Sequence, residues 1–255
     1  MGCLIVAEVG VNHDGDLNKA LALAEAAKQA GADAVKFQCF DSRALWGDAR
    51  IANLELTRDG LRLLKRRCDG MGIEFMCTPF GVPEVLFLAP LVQRMKIASG
   101  CLNRPPLLEA VRETGLPVIL STGMSEYAEI ETALARLDRD KVTLLHCTSA
   151  YPCPLEEVNL LAMDELSVRS GLPVGFSDHT DGNAVAVAAA AIGAEVIEKH
   201  FTFDKNAPGP DHKASITPLE FSGMVTAIRI VERAMGDGHK RVMPSEVALR
   251  EAWRR

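Results

Sequence analysis

Two histidines, His179 and His200, close two short apolar runs, P-V-G-F-S-D-H-T at 173–180 and A-E-V-I-E-K-H-F-T at 194–202, with one alanine-rich stretch of helical length between them. Neutral imidazole is the commonest protein metal ligand, so two imidazoles at one end of adjacent parallel strands could hold a divalent cation. Such a cation could polarise a carbonyl. Lys36 and Lys96, with hydroxyls from Thr78, Ser99, Ser121 and Ser177, predict a cationic, donor-rich pocket. Ammonium and hydroxyl groups give charge-assisted hydrogen bonds, which suit a phosphate or a carboxylate. Phosphate pocket and carbonyl-polarising metal together point to joining a phosphorylated three-carbon unit to an aldehyde. On spacing alone the alternatives stay open: a lone strand-end histidine is more often a hydrogen-bonded structural residue, and either lysine could be ion-paired with Glu8 or Glu198. His146, deeper in its strand, reads as a core histidine. His13, His212 and His239 lie in loop or terminal segments and are expected to be solvent-exposed, while Cys39, Cys77 and Cys147 are expected to pack.

The elements that would carry these residues alternate from end to end. Continuous apolar runs at 3–9, 34–39, 74–78, 94–98, 117–121, 142–148, 173–177 and 194–200 read as parallel strands buried on both faces. Helical patterns fill the gaps at 16–30, 57–70, 83–89, 105–114, 125–137, 156–170 and 181–192, followed by Met224, Ile228, Val231 and Met235 at helical spacing. Thr57 is a good N-cap, and glycines such as Gly31, Gly72, Gly115, Gly171 and Gly193 stop one helix before the next strand. Eight strands alternating with eight helices predict a single-domain (β/α)₈ TIM barrel over 1–240, with 241–255 as a C-terminal tail. A doubly wound sheet fits less well, because the first turn, Gly10-Val11-Asn12-His13-Asp14-Gly15, is not G-x-G-x-x-G. In such a barrel the site lies at the C-terminal ends of the strands, where this chain places an excess of polar residues that would be costly to bury unpaired.

Composition narrows the partners. A net charge of −6 argues against a nucleic-acid surface and favours a small molecule. The 7 cysteines include no C-x-x-C pair, so neither a zinc knuckle nor a disulfide framework is expected, and a reducing, cytoplasmic setting fits best. The N-terminus has no basic leader, position 6 is Val where myristoylation wants Ser or Thr, and no apolar run reaches the roughly 18 residues of a membrane span.

The runs A-E-V-G-V-N-H-D-G-D-L (7–17), G-A-D-A-V-K-F-Q (31–38), C-T-P-F (77–80), K-I-A-S-G (96–100), S-T-G-M-S (121–125), H-C-T-S-A-Y-P-C-P (146–154), G-F-S-D-H-T (175–180), E-K-H-F-T (198–202) and P-G-P-D-H-K-A-S (208–215) are in sequence order and span almost the whole chain. Together they closely resemble the N-acetylneuraminate (sialic acid) synthase family. The resemblance implies a (β/α)₈ transferase that condenses phosphoenolpyruvate with an N-acylated aldose to give a 2-keto-3-deoxy acid and inorganic phosphate. It implies His179 and His200 as ligands of Mn²⁺, with Mg²⁺ or Co²⁺ as alternatives, and Lys36, Thr78, Lys96, Ser99, Ser121, Ser149 and Ser177 around phosphoenolpyruvate. Glu8 matches an essential carboxylate, and Gln38, Tyr151 and Asp211 match acceptor-side positions. A homodimer is also implied.

Three departures accompany the resemblance. Cys101 stands where members carry Asp or Glu, and the run D-S-R-A-L-W-G-D-A-R-I-A-N (41–53) is shorter than the family's sugar-contacting loop. The chain also stops soon after M-P-S-E (243–246), where relatives continue into a small antifreeze-like domain that supplies an arginine to the partner's acceptor site. Two other functions compete: a pyruvate aldolase using Lys36 or Lys96 as a Schiff base, and a non-catalytic sugar-phosphate-binding barrel.

Overall fold

The computed structural model describes residues 2–43 and 53–254, so most of the run 41–53 lies outside the described residues. Eight strands form a parallel barrel: β1 (Leu4–Gly10), β2 (Ala34–Cys39), β3 (Glu74–Pro79), β4 (Met95–Ile97), β5 (Val118–Ser121), β6 (Val142–His146), β7 (Val174–Asp178) and β8 (Val196–His200). After each strand comes a helix: α1 (Leu17–Gln29), α2 (Arg58–Met71), α3 (Val82–Leu88), α4 (Pro105–Glu113), α5 (Tyr127–Leu134), α6 (Ala162–Ser170), α7 (Ala184–Ala191) and α8 (Pro218–Ala234). A short α9 (Val247–Trp253) follows in the tail. The ladder order is β3-β2-β1-β8-β7-β6-β5-β4. Its two ends, β3 and β4, lie side by side without ladder pairing and complete the ring.

Local signals behave as their chemistry dictates. Asp16 caps α1 by accepting from the backbone N–H groups of Asn18 and Lys19, and Thr57 caps α2 through Gly60 N–H. Thr217 and Glu220 form a reciprocal capping box on α8. Gly72 and Gly171 end α2 and α6 in the left-handed region. One helix is shorter than its pattern suggests: the run 156–170 becomes a 3₁₀ turn at Leu155–Glu157 and then α6 from Ala162, because Asn159 takes a φ of 49°. Gly182, at φ 76°, likewise delays α7 to Ala184.

Inside the barrel, side chains follow the strand period of two. Val6, Ala34, Met76, Ile119, Leu145 and Val196 form an apolar plug. A larger apolar layer lies between barrel and helices. At the start of the chain, Glu232 accepts from Cys3 N–H at 2.6 Å, while Arg229 donates to the Cys3 carbonyl at 2.9 Å and to Asp33 at 2.6 Å, which fastens α8 to the beginning of β1. Among the described residues no helix is long and apolar enough to cross a membrane.

Candidate active site

Two residues beyond five of the six plug positions, the inward side chains become polar. Val6 leads to Glu8, Ala34 to Lys36, Met76 to Thr78, Ile119 to Ser121 and Val196 to Glu198 and then His200. Register aligns this layer, with Glu8 opposite both Lys36 and His200, and Ser177 opposite Glu198. The layer floors a cavity of about 290 Å³ at the C-terminal mouth of the barrel. Every site residue expected from sequence lines it: Glu8, Lys36, Gln38, Thr78, Lys96, Ser99, Ser121, Ser149, Tyr151, Ser177, His179, His200 and Asp211.

The floor is a buried charge network. Lys36 Nζ lies 2.8 Å from Glu8 Oε2, 3.6 Å from Glu198 Oε2 and donates to Thr78 Oγ1 at 3.0 Å. Lys96 Nζ donates to Ser121 Oγ at 2.7 Å and lies 3.8 Å from Glu198 Oε1, which also accepts from Ser177 Oγ at 3.0 Å. The simple cationic pocket expected from sequence is therefore corrected: both lysines have a carboxylate counterion. Burial works to raise the Glu198 carboxyl, but Lys36 and Lys96 outweigh it and hold it well below the usual range. Glu8 goes the other way, pushed up by burial and by the neighbouring Glu198 charge, against Lys36. Lys96 is pushed down by burial. The floor thus offers two ammonium groups and the hydroxyls of Thr78, Ser121 and Ser177, a donor set that suits an anion.

The two histidines stand above this floor with ring centroids 5.5 Å apart. His179 Nδ1 lies 2.7 Å from the Thr148 carbonyl, which can only accept, so Nδ1 carries the proton and Nε2 presents a lone pair. His200 Nδ1 is buried without a hydrogen-bond partner and lies 3.8 Å from Asp211 Oδ2. Burial depresses both rings, to about 4 for His179 and about 3 for His200, so both are neutral near pH 7. Neutral imidazoles, one oriented by a backbone carbonyl and one with an orphaned buried nitrogen, fit an open divalent-metal site. Among the described residues no group of three His, Cys, Asp or Glu converges on one point, so the remaining positions of such an ion would fall to solvent or substrate. Tyr151 packs over both rings, at 4.2 Å from His179 and 5.7 Å from His200.

Several expectations need correction. His13 and His212 are each only 1% exposed, because the loops bearing them fold inward and give them polar partners. His13 Nδ1 accepts from Gly15 N–H at 3.0 Å, and His212 lies 2.7 Å from Thr202 Oγ1 and 3.2 Å from Asp14 Oδ1. Cys147 does more than pack: it lines the cavity with its Sγ 3.3 Å from Ser99 Oγ. Cys101 is buried in the apolar layer, beside Gly100 of the cavity wall. His146 bonds the Val158 carbonyl at 2.7 Å and packs beside Phe176, in keeping with a structural role. Glu198, Phe80 and Met124 are wall residues that the expected set omits. The alternation Glu198, His200 along β8 was the available signal for the first.

A profile of the NeuB family matches residues 23–240. The N,N'-diacetyllegionaminic acid synthase of Legionella pneumophila is 41% identical over 282 residues, covering 100% of this chain and 79% of that protein. The human N-acetylneuraminate-9-phosphate synthase is 36% identical over 271 residues, covering 98% of this chain and 76% of its own length. Among solved structures, the N-acetylneuraminic acid (sialic acid) synthetase of Leptospira borgpetersenii in complex with citrate superposes with a TM-score of 0.92 at 36% identity, covering 100% of this chain and 93% of that one.

Proposed function

The chain belongs to the NeuB family, whose similar members are named synthases of sialic-acid-like acids, and on that premise we propose that it condenses phosphoenolpyruvate with an N-acylated aldose. The products would be a sialic-acid-like 2-keto-3-deoxy acid and inorganic phosphate. The observation that carries this reading is the convergence of the buried Lys36–Glu198–Lys96 network and two neutral histidines on one barrel-mouth cavity. An anionic enol belongs over the network, and an aldehyde belongs beside the histidines.

Lys36 and Lys96, with Thr78, Ser99, Ser121, Ser149 and Ser177, are assigned to the phosphate and carboxylate of phosphoenolpyruvate. His179 and His200 would hold a divalent ion, Mn²⁺ foremost, and when bound that ion supplies Lewis acidity to the aldehyde oxygen. Gln38, Tyr151 and Asp211 hold the acceptor so that its carbonyl carbon faces C3 of the enol. C3 bonds to that carbon, water adds at C2, and the tetrahedral intermediate releases phosphate by C–O cleavage, regenerating a ketone. Glu8 is assigned proton transfer or stabilisation of the cationic centre at C2; its raised carboxyl suits the first task.

The test is phosphate release from phosphoenolpyruvate across a panel of aldoses that includes N-acetylmannosamine, with Mn²⁺ and after chelation. Release should require an aldose and fall on chelation, and His179→Ala should abolish it with little loss of stability. Absence of release with every aldose in the presence of Mn²⁺ refutes the reading. Borohydride with pyruvate should leave no adduct, since a Schiff base needs a free amine and both lysines are ion-paired.

A further inference from the structure

The turn after β1, Gly10-Val11-Asn12-His13-Asp14-Gly15, carries two buried polar side chains, Asn12 and His13, and an exposed one, Asp14, that the proposed chemistry does not use. Its contacts run to one place. Asp211, on the loop that follows β8, sets its carboxylate 3.8 Å from His200 Nδ1. Gly10, at φ 56°, passes so close to this carboxylate that a Cβ there would lie 2.9 Å from Asp211 Oδ2, and only 3.3 Å from Gln38 Nε2 and from Glu8 Oε1. The Asn12 amide, 1% exposed, donates to the Phe201 carbonyl at 3.0 Å and to Ser215 Oγ at 2.8 Å. Ser215 Oγ in turn donates to the Asp211 carbonyl at 2.6 Å. One residue on, His212 is held between Thr202 Oγ1 and Asp14 Oδ1, and Lys19 holds the other Asp14 oxygen at 2.5 Å. Asp211 is thus held at its carbonyl by Ser215, which Asn12 of the turn holds in place, and through its neighbour His212, which Asp14 of the turn and Thr202 hold, while the turn backbone at Gly10 closes on its carboxylate.

We propose that the first βα turn is a clamp that fixes Asp211 beside His200 before the acceptor arrives, with Asn12 and Ser215 as positioning residues for acceptor binding. The inference rests on the assignment of Asp211 to the acceptor. A loop carboxylate left free would have to be ordered at each binding event, and that entropy would appear as weaker acceptor binding. None of these hydrogen bonds reaches a residue assigned to phosphoenolpyruvate, so the effect should be confined to one substrate.

The experiment is steady-state phosphate release with phosphoenolpyruvate and the panel aldose that turns over fastest, in Ser215→Ala, Ser215→Thr, Asn12→Ala, Asp211→Ala and the Ser215→Ala/Asp211→Ala pair. Ser215→Ala and Asn12→Ala each remove two buried hydrogen bonds; each should raise the aldose KM at least about tenfold, the worth of one such bond, and leave the phosphoenolpyruvate KM unchanged. Ser215→Thr, which keeps the hydroxyl, should restore the aldose KM. In the Asp211→Ala background Ser215→Ala should add nothing, because the hydroxyl acts through that carboxylate. A merely structural role would instead move both KM values and kcat together, or persist in the double variant, and either result overturns the clamp. If Asp211→Ala turns over with an unchanged aldose KM, the clamp fails while the synthase reading stands. If the unmodified protein releases no phosphate with any aldose, the synthase reading fails first and the clamp with it.

Discussion

At Glu198 a single carboxylate answers two buried ammonium groups, 3.6 Å from Lys36 and 3.8 Å from Lys96. Removing it leaves Lys96 buried without a counterion, while Lys36 keeps Glu8 at 2.8 Å; stripping one partner from a buried pair costs about 3–5 kcal/mol. Glu198→Gln should therefore lower the unfolding temperature markedly. Phosphoenolpyruvate should recover more stability in the variant than in the unmodified protein, since the anion supplies the missing counter-charge. Equal recovery in both, by thermal unfolding with and without ligand, would count against anion binding at the network. The residues of this network were legible in the sequence as polar intrusions into apolar strands. Glu8 and Glu198 were also legible as their counterions, but which ammonium meets which carboxylate was not, because that depends on register between strands far apart in the chain. His13 shows the same limit: a loop histidine reads as exposed until the loop's inward path is known. Burial holds it down to about 4, whereas an unfolded histidine titrates near 6.5. Its contribution is complete above about pH 6.5 and is lost as pH falls toward about 4, because the unfolded chain then takes up a proton that the fold refuses. Denaturant midpoints from pH 7 to pH 4 should thus fall less steeply in His13→Gln, and identical slopes would assign the acid sensitivity elsewhere.

For the elements, the apolar runs placed all eight strands within a few residues, since a strand buried on both faces must be apolar along its length. The two misjudged helix starts trace to Asn159 and Gly182, whose positive φ values end any helical reading that rests on apolar spacing alone. Gly175 in β7 carries a constraint that no pattern announces. A Cβ there would sit 2.4 Å from the Val196 carbonyl oxygen and 2.8 Å from Val196 N, so β7 and β8 approach each other more closely than any side chain permits. These are the strands that bring His179 and His200 to the cavity. Gly175→Ala should destabilise the barrel by about 3 kcal/mol, at the upper end of overpacking costs. Its survivors should also release phosphate more slowly, because the histidine spacing widens. Wild-type stability in a chemical melt would show that the two strands can slide apart freely.

Taken whole, the molecule is a ring with one seam. β3 and β4 meet without ladder bonds, and β4 contributes only Met95–Ile97. Local opening is cheapest where the fewest backbone bonds must break. In hydrogen exchange β4 should therefore be the least protected strand and β1, paired on both sides, among the most protected. Uniform protection around the ring would mean that side-chain packing alone seals the seam. Opposite that seam, Arg229 and Glu232 of α8 hold the backbone of Cys3, so the first strand and the last barrel helix touch. A short peptide joining α8 to β1 would turn the barrel into a covalent circle. That circle could then be cut in an exposed turn on the face away from the cavity, such as Asp138–Asp140, to give a circular permutant with every site residue in place. Where the ribosome begins the barrel is, on this geometry, a matter of genetic history and not of chemistry.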